Sequence, residues 1–211
     1  MTWIVRVGNN IFPLSEEKFD IRIALSEWRY EGEMYDLEVA EEVCEICGHQ
    51  NIRYQFEIVN KYNNNTMLIG SECITKFEIP VLNEEGYVLS NREAKRKVNS
   101  DRRKLVTEAK EKHVINSLVR LSALDENFDI ESFILYFKNR KAFTPNQLAI
   151  LIWRLDKAKV EYNKSNFKLI ITRNREKQQL NDMEEWKLKK ILPCMSSTQK
   201  KLVEHKIRFN Y

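Results

Sequence analysis

Glycine and proline are scarce in this chain, 5 and 4 among 211 residues. Few positions can therefore take the tight left-handed turns that most nucleotide sites require. There is no Gly-rich phosphate loop with a lysine, no His-x-x-x-His pair and no Gly-x-Ser-x-Gly elbow. The three histidines, His49, His113 and His205, are scattered, and no His-x-Glu precedes the cysteines as the zinc deaminases require. No apolar run approaches the roughly 18 residues of a membrane span, and the N-terminus lacks the long apolar segment of a signal peptide. The expectation is a non-enzyme with no membrane partner, located in the cytoplasm. There thiols stay reduced, and a Cys-x-x-Cys favours metal or redox chemistry over a structural disulfide.

What is present argues for a folded protein. Hydrophobic residues make up 43% of the chain, enough for a helix-rich globular structure of one large or two small domains. The net charge of +4 hides a division. Residues 1–89 hold 7 Lys/Arg against 16 Asp/Glu, a net of −9, and residues 90–211 hold 28 against 15, a net of +13. Such asymmetry suggests different partners for the two halves, or attraction between them. The basic half is the natural place for a polyanion, unless its helices are simply well solvated.

Three of the four cysteines lie between positions 44 and 73. Cys44-x-x-Cys47 is followed by Gly48 and His49. Ile52, Tyr54, Phe56 and Ile58 then alternate with polar residues, the period-two pattern of a half-buried strand. Residues 60–65 are Asn-rich turn chemistry, residues 66–69 supply a return strand, and Cys73 opens a short helix that must stop before Pro80. Thiolates and imidazole in a tetrahedral site suit Zn²⁺. A Cys-x-x-Cys turn points two sulfurs at one metal. The order of knuckle, hairpin and short helix is similar to a treble-clef zinc finger, although such fingers usually bring a second ligand pair at the helix start. Here only Cys73 is a soft ligand in that region. His49 is the leading candidate for the fourth position, with Glu72, Cys194 or a partner chain as alternatives. A redox dithiol would sit after a strand and at a helix N-terminus; here Gly48 and a strand come next instead. The zinc is expected to be structural.

The same run, Cys-Glu-Ile-Cys-Gly-His, Ile-Arg-Tyr and Ile-Gly-Ser-Glu-Cys-Ile-x-Lys-Phe, resembles a motif in small zinc-binding proteins of phages, prophages and plasmids. The resemblance covers about 35 residues, and the Phe-Thr-Pro-x-Gln start further on is reminiscent of the same group. It implies an origin in a mobile element and the ligand set Cys44, Cys47, His49 and Cys73. It implies no activity.

Around this module the expected organisation is α+β. Residues 1–40 form a strand and helix segment packing on the zinc module at 41–80, and residues 88–211 form a basic, mostly helical domain with a short β-hairpin. A strand is predicted at residues 3–7, one or two short helices within 15–30, and an acidic connector over 31–42. Ser90 and Glu93 read as a capping box opening a helix to about residue 121. Its first turns carry Arg92, Lys95, Arg96, Lys97, Arg102, Arg103 and Lys104. Cations near a helix N-terminus oppose the macrodipole. A phosphate backbone is a natural reason for them, since each neutralised phosphate releases a counterion; a solvated face is the plain alternative. Asp129 caps a second helix. Thr144, Pro145 and Gln147 make a complete helix start. Strands are predicted at 160–162 and 167–172, one helix over about 177–192, and a last capped at Ser196, with Cys194 as a small buried hydrophobe.

The expected function is thus a zinc-containing, non-enzymatic accessory protein that binds DNA or RNA through its basic half. The alternative is a modulator of a host defence or replication complex, docking through its acidic half.

Overall fold

A central strand grows from the alternation in residues 52–58. In the structure, a computed structural model describing residues 3–207, Phe56 and Ile58 point inward on β2 (Tyr54–Asn60) and are fully buried. β2 pairs antiparallel on one side with β3 (Thr66–Ile69), Phe56 opposite Ile69 and Ile58 opposite Met67. On its other side lies β1 (Trp28–Asp36), Trp28 opposite Asn60 and Asp36 opposite Tyr54. The sheet order is β1-β2-β3. The class is α+β. Among the described residues no helix is long and apolar enough to cross a membrane.

The chain divides after Ala109 into two compact units. The first holds α1 (Trp3–Ile11), α2 (Ile21–Ser26), the sheet, α3 (Ser71–Lys76) and the start of α4 (Asn91–Leu124). Its core gathers Val7 and Ile11 of α1, Trp28 and Tyr30 of β1, Ile74 of α3 and Val98 of α4 around the sheet. Full burial of each such apolar side chain is worth roughly 1.5–3 kcal/mol relative to exposure. The Trp28 indole N–H donates to the Ser15 hydroxyl at 2.9 Å, so its polar edge is satisfied where it is buried.

Two expectations fail in this unit. Residues 3–7 form a helix, not a strand: Val7 and Ile11 fall one turn apart and both are buried, so a 3.6-residue period outweighs the β-branched composition. Residues 31–36 of the expected acidic connector belong to strand β1. Trp28, Tyr30 and Met34 supply an inward face, and Gly32 (φ +116°) sits at the irregularity between Tyr30 and Met34. Arg53 holds the end of that strand, donating to both carboxylate oxygens of Asp36 at 2.6 and 3.0 Å.

The second unit continues α4 and adds α5 (Ile130–Arg140), α6 (Pro145–Lys157), α7 (Asn174–Asn181), α8 (Glu185–Ile191) and α9 (Ser197–Val203). The helix starts follow the sequence closely. The Thr144 hydroxyl accepts from the Gln147 N–H while the Gln147 side chain accepts from the Thr144 N–H, and Ser196 with Gln199 repeats the arrangement. Asp129 accepts from the Ser132 N–H. At Ser90 only half the box forms: the Glu93 carboxylate accepts from both the Ser90 N–H and its hydroxyl. Leu148, Leu151, Ile152 and Leu155 of α6 are buried against Leu188 and Ile191 of α8 and a stack of Phe137, Phe143 and Phe167.

No hairpin forms among the described residues of this unit. Residues 164–166 turn as a short 3₁₀ helix, and the following extended segment pairs instead with Phe143, whose N–H donates to the Lys168 carbonyl and whose carbonyl accepts from the Ile170 N–H. Val160, Phe167 and Leu169 all enter one core, so burial rather than mutual pairing decides their path. The single helix expected over 177–192 is broken into α7 and α8, with Met183 of the link buried in the core.

Candidate metal centre and basic helix face

The knuckle is set by backbone bonds and by α1. The Gly48 N–H donates to the Cys44 carbonyl at 2.7 Å and the Cys44 N–H to the His49 carbonyl at 2.8 Å. Gly48 has φ +71°, a left-handed conformation that favours glycine, and a Cβ there would press on Arg6 Cδ at 3.1 Å. Arg6 and Asn10, one turn apart on α1, donate to the carbonyls of Cys47 and Ile46 at 3.4 and 3.3 Å. The Glu45 N–H donates to the Leu68 carbonyl at 3.1 Å, tying the knuckle to β3. Cys73 arrives from the first turn of α3, which Gly70 precedes.

These elements bring three sulfurs together. Sγ of Cys44 lies 3.6 Å from that of Cys73, which lies 3.3 Å from that of Cys47. All three atoms fall within 4.8 Å of one another, and no disulfide joins them. They lie close enough to bind a metal ion. Cys44 and Cys73 are buried; Cys47 is half-buried and faces a cavity of about 430 Å³. The hydrogen bond shared with Cys73 holds the Cys44 thiol well below its ordinary value against the opposing effect of burial, helped by the N–H groups of Gly70 and Cys47. That same bond, with burial, pushes Cys73 up. A cation bound between the three sulfurs would displace thiol protons.

The other ligand candidates separate. His49 and Glu72 are exposed and line the same cavity, outside the close group of sulfurs. Cys194 is buried in the core of the second unit, where burial pushes its thiol up to about 12. Arg6 and Asn10 hold the knuckle and carried no sequence signal, because residues 3–10 read as a strand and a turn.

The cations at the start of α4 also separate. At 3.6 residues per turn, Arg92, Lys95, Arg96, Arg102 and Arg103 share one face, and all five are exposed. Ala94, Val98, Asp101 and Leu105 make up the opposite, core-directed side. Lys97 belongs to that inner side. Its ammonium pairs with Asp101 at 3.0 Å and lies 5.9 Å from the Tyr30 ring centre, while Asp101 accepts from the Tyr30 hydroxyl. Lys104 is exposed on the far flank. The stripe runs about 16 Å from Arg92 to Arg103, at 1.5 Å per residue. Arg102 also lines the cavity beside the cysteines.

No family model, curated protein or solved structure matches the chain.

Proposed function

We propose that this is a zinc-containing, non-enzymatic accessory protein that binds nucleic acid along the exposed face of α4. The observation that carries it is the stripe Arg92, Lys95, Arg96, Arg102 and Arg103, five solvated cations on one helix face while Lys97 is turned inward to an ion pair. Solvation alone does not require cations to be gathered on one face. A phosphate backbone does, because contacts made in a row release counterions together. Arg supplies planar forks suited to phosphate at four of these five positions.

The metal we assign to the cysteines is Zn²⁺ in a closed structural site, with His49 as the fourth donor. A tetrahedron with Zn–S bonds of about 2.3 Å has edges of about 3.8 Å. The sulfur separations of 3.3 and 3.6 Å approach this. Soft thiolates select zinc over hard cations. Knuckle, hairpin and α3 then compose a treble-clef-like module, and its similarity to the mobile-element motif supports a phage or plasmid origin. Zinc would fix the knuckle to α3; it takes part in no reaction here.

The test is a polarisation titration of the full chain with labelled DNA and RNA, single- and double-stranded, at two salt concentrations. The expected result is micromolar or tighter binding that weakens with salt. No binding to any of the four would overturn the proposal and turn attention to a protein target for the acidic half.

A further inference from the structure

Two tryptophans of the second unit stand in solvent. Trp153 is 40% and Trp186 50% exposed, with Ile150 at 44% beside them. Asn146, Ile150 and Trp153 follow at helical spacing along the outer side of α6, with buried Ala149 at the groove floor, and the inner side is the core stripe Leu148, Leu151, Ile152 and Leu155. Trp186 and Lys187, at the start of α8, close the opposite wall of a groove of about 390 Å³. Its two aromatic walls are not needed by the core. Each ring carries a cation: Lys157 Nζ lies 5.1 Å from the Trp153 centroid and Lys187 Nζ 5.1 Å from that of Trp186.

The groove adjoins a second, polar cavity of about 460 Å³ that shares Asn146 and Lys187 with it. There Gln178, Gln179, Asp182 and Glu184 present amide and carboxylate groups, and Arg175 lines the same cavity. The Gln179 side-chain oxygen is shielded from solvent and has no hydrogen-bond partner among the described residues. Of the two lysines, Lys187 is neutralised by Glu184 at 2.7 Å, whereas Lys157 makes no ion pair among the described residues and engages only its ring.

We infer that this groove holds unpaired bases of a single-stranded nucleic acid. Indole faces offer stacking surface, which an unpaired base matches and a duplex withholds because its base faces are already stacked. Lys157 over the Trp153 ring and Arg175 in the polar cavity offer charge to phosphates flanking a stacked nucleotide. The amides and Asp182 supply donors and acceptors to base edges, which carry both in turn. An apolar protein partner would bury the rings equally well, but it has no use for the neighbouring polar cavity with its orphaned acceptor.

This inference deepens the proposed function and rests on it, since α4 supplies the sequence-independent attraction and the tryptophans supply the preference for unpaired strands. The experiment titrates the full chain with a labelled thymidine 12-mer and with a duplex of equal length, reading polarisation and tryptophan emission. Wild type quenches its emission on the single strand and prefers it to the duplex. Trp153→Ala and Trp186→Ala, both at exposed positions, each lose about 5- to 150-fold for the single strand while duplex affinity and the salt slope stay put. Trp186→Phe recovers most of the loss by restoring a ring. Alanine variants that bind the 12-mer as wild type does, or that lose duplex binding equally, overturn the inference. Neutralising Arg96, Arg102 and Arg103 separates the two proposals: if that variant keeps wild-type affinity for both probes while the tryptophan variants lose the single strand, the α4 interface fails and the groove stands. If wild type binds neither probe, both fail.

Discussion

Replacing Arg96, Arg102 and Arg103 of α4 together by alanine should change how binding depends on salt by an amount set by the helix face. Each phosphate neutralised on duplex DNA contributes about −0.9 to the slope of log affinity against log salt. If the five cations of the stripe each meet a phosphate, the slope is about −4.5, and raising salt from about 50 to 200 mM weakens binding about 500-fold. Three fewer contacts leave Arg92 and Lys95, a slope of about −1.8 and a loss of only about 12-fold over the same range. The substituted side chains are exposed, and alanine is the best helix former, so the fold should shift by no more than about 0.5 kcal/mol. Polarisation with a 20-base-pair duplex across that salt range gives both slopes. Because Arg102 also lines the cysteine cavity, zinc content of the variant is measured in parallel and should stay at the wild-type level. A triple variant with the wild-type slope would refute α4 as the interface, as would a wild-type slope near −1.

Elemental analysis should find one zinc per chain, and Cys44→Ser with Cys47→Ser should abolish it. Because metal-binding energy is folding energy, hydrogen exchange across residues 41–80 should then rise sharply while α6 and α8 stay protected; an unchanged exchange pattern would remove the structural role. Phe143→Ala empties the middle of the Phe137–Phe143–Phe167 stack, fully buried, and should cost about 3–5 kcal/mol in urea unfolding. Thr144→Ala removes the side-chain half of the α6 capping box and should cost about 1 kcal/mol in the same assay. Glu176 is buried, and although burial opposes its charge, N–H groups of Arg173 and Thr172 hold its carboxyl below the ordinary 4.5. A lowered folded value means that its contribution is complete above pH 4.5 and is lost as pH falls through that lowered value. Glu176→Gln should flatten the acid limb of a stability–pH curve; an identical limb would show that the carboxylate adds nothing.

Much of the local structure was legible in the order of residues. The Cys-x-x-Cys turn, the turn over 60–65, α3 before Pro80 and the starts of α5, α6 and α9 each depend on groups a few positions apart. Thr144 and Gln147, for example, satisfy one another's backbone within a single turn, so the chain specifies them without distant help. Cys44 and Cys47 likewise share one turn, and the period-two pattern of β2 predicts the burial of Phe56 and Ile58, though not that of Gln55 on the other face.

What only the tertiary structure decided involves partners far along the chain. The 31–36 part of strand β1 reads as an acidic connector because its ladder lies with β2, 18 to 32 residues further along the chain, and the strand's inward face is only Trp28, Tyr30 and Met34. The extended segment after residue 166 was expected to pair with its neighbour, yet its hydrogen bonds go to Phe143 because that route buries Phe167 and Leu169. Helix α1 reads as β-prone until the knuckle carbonyls of Ile46 and Cys47 are there to receive Asn10 and Arg6. Among the seven cations at the start of α4, composition cannot tell Lys97 from Arg96; packing does, because Tyr30 of the sheet and Asp101 draw one ammonium inward and leave the stripe in solvent. Short-range hydrogen bonding and hydrophobic period are properties of a sequence, whereas strand partners and the side of a helix that meets water belong to the packed chain.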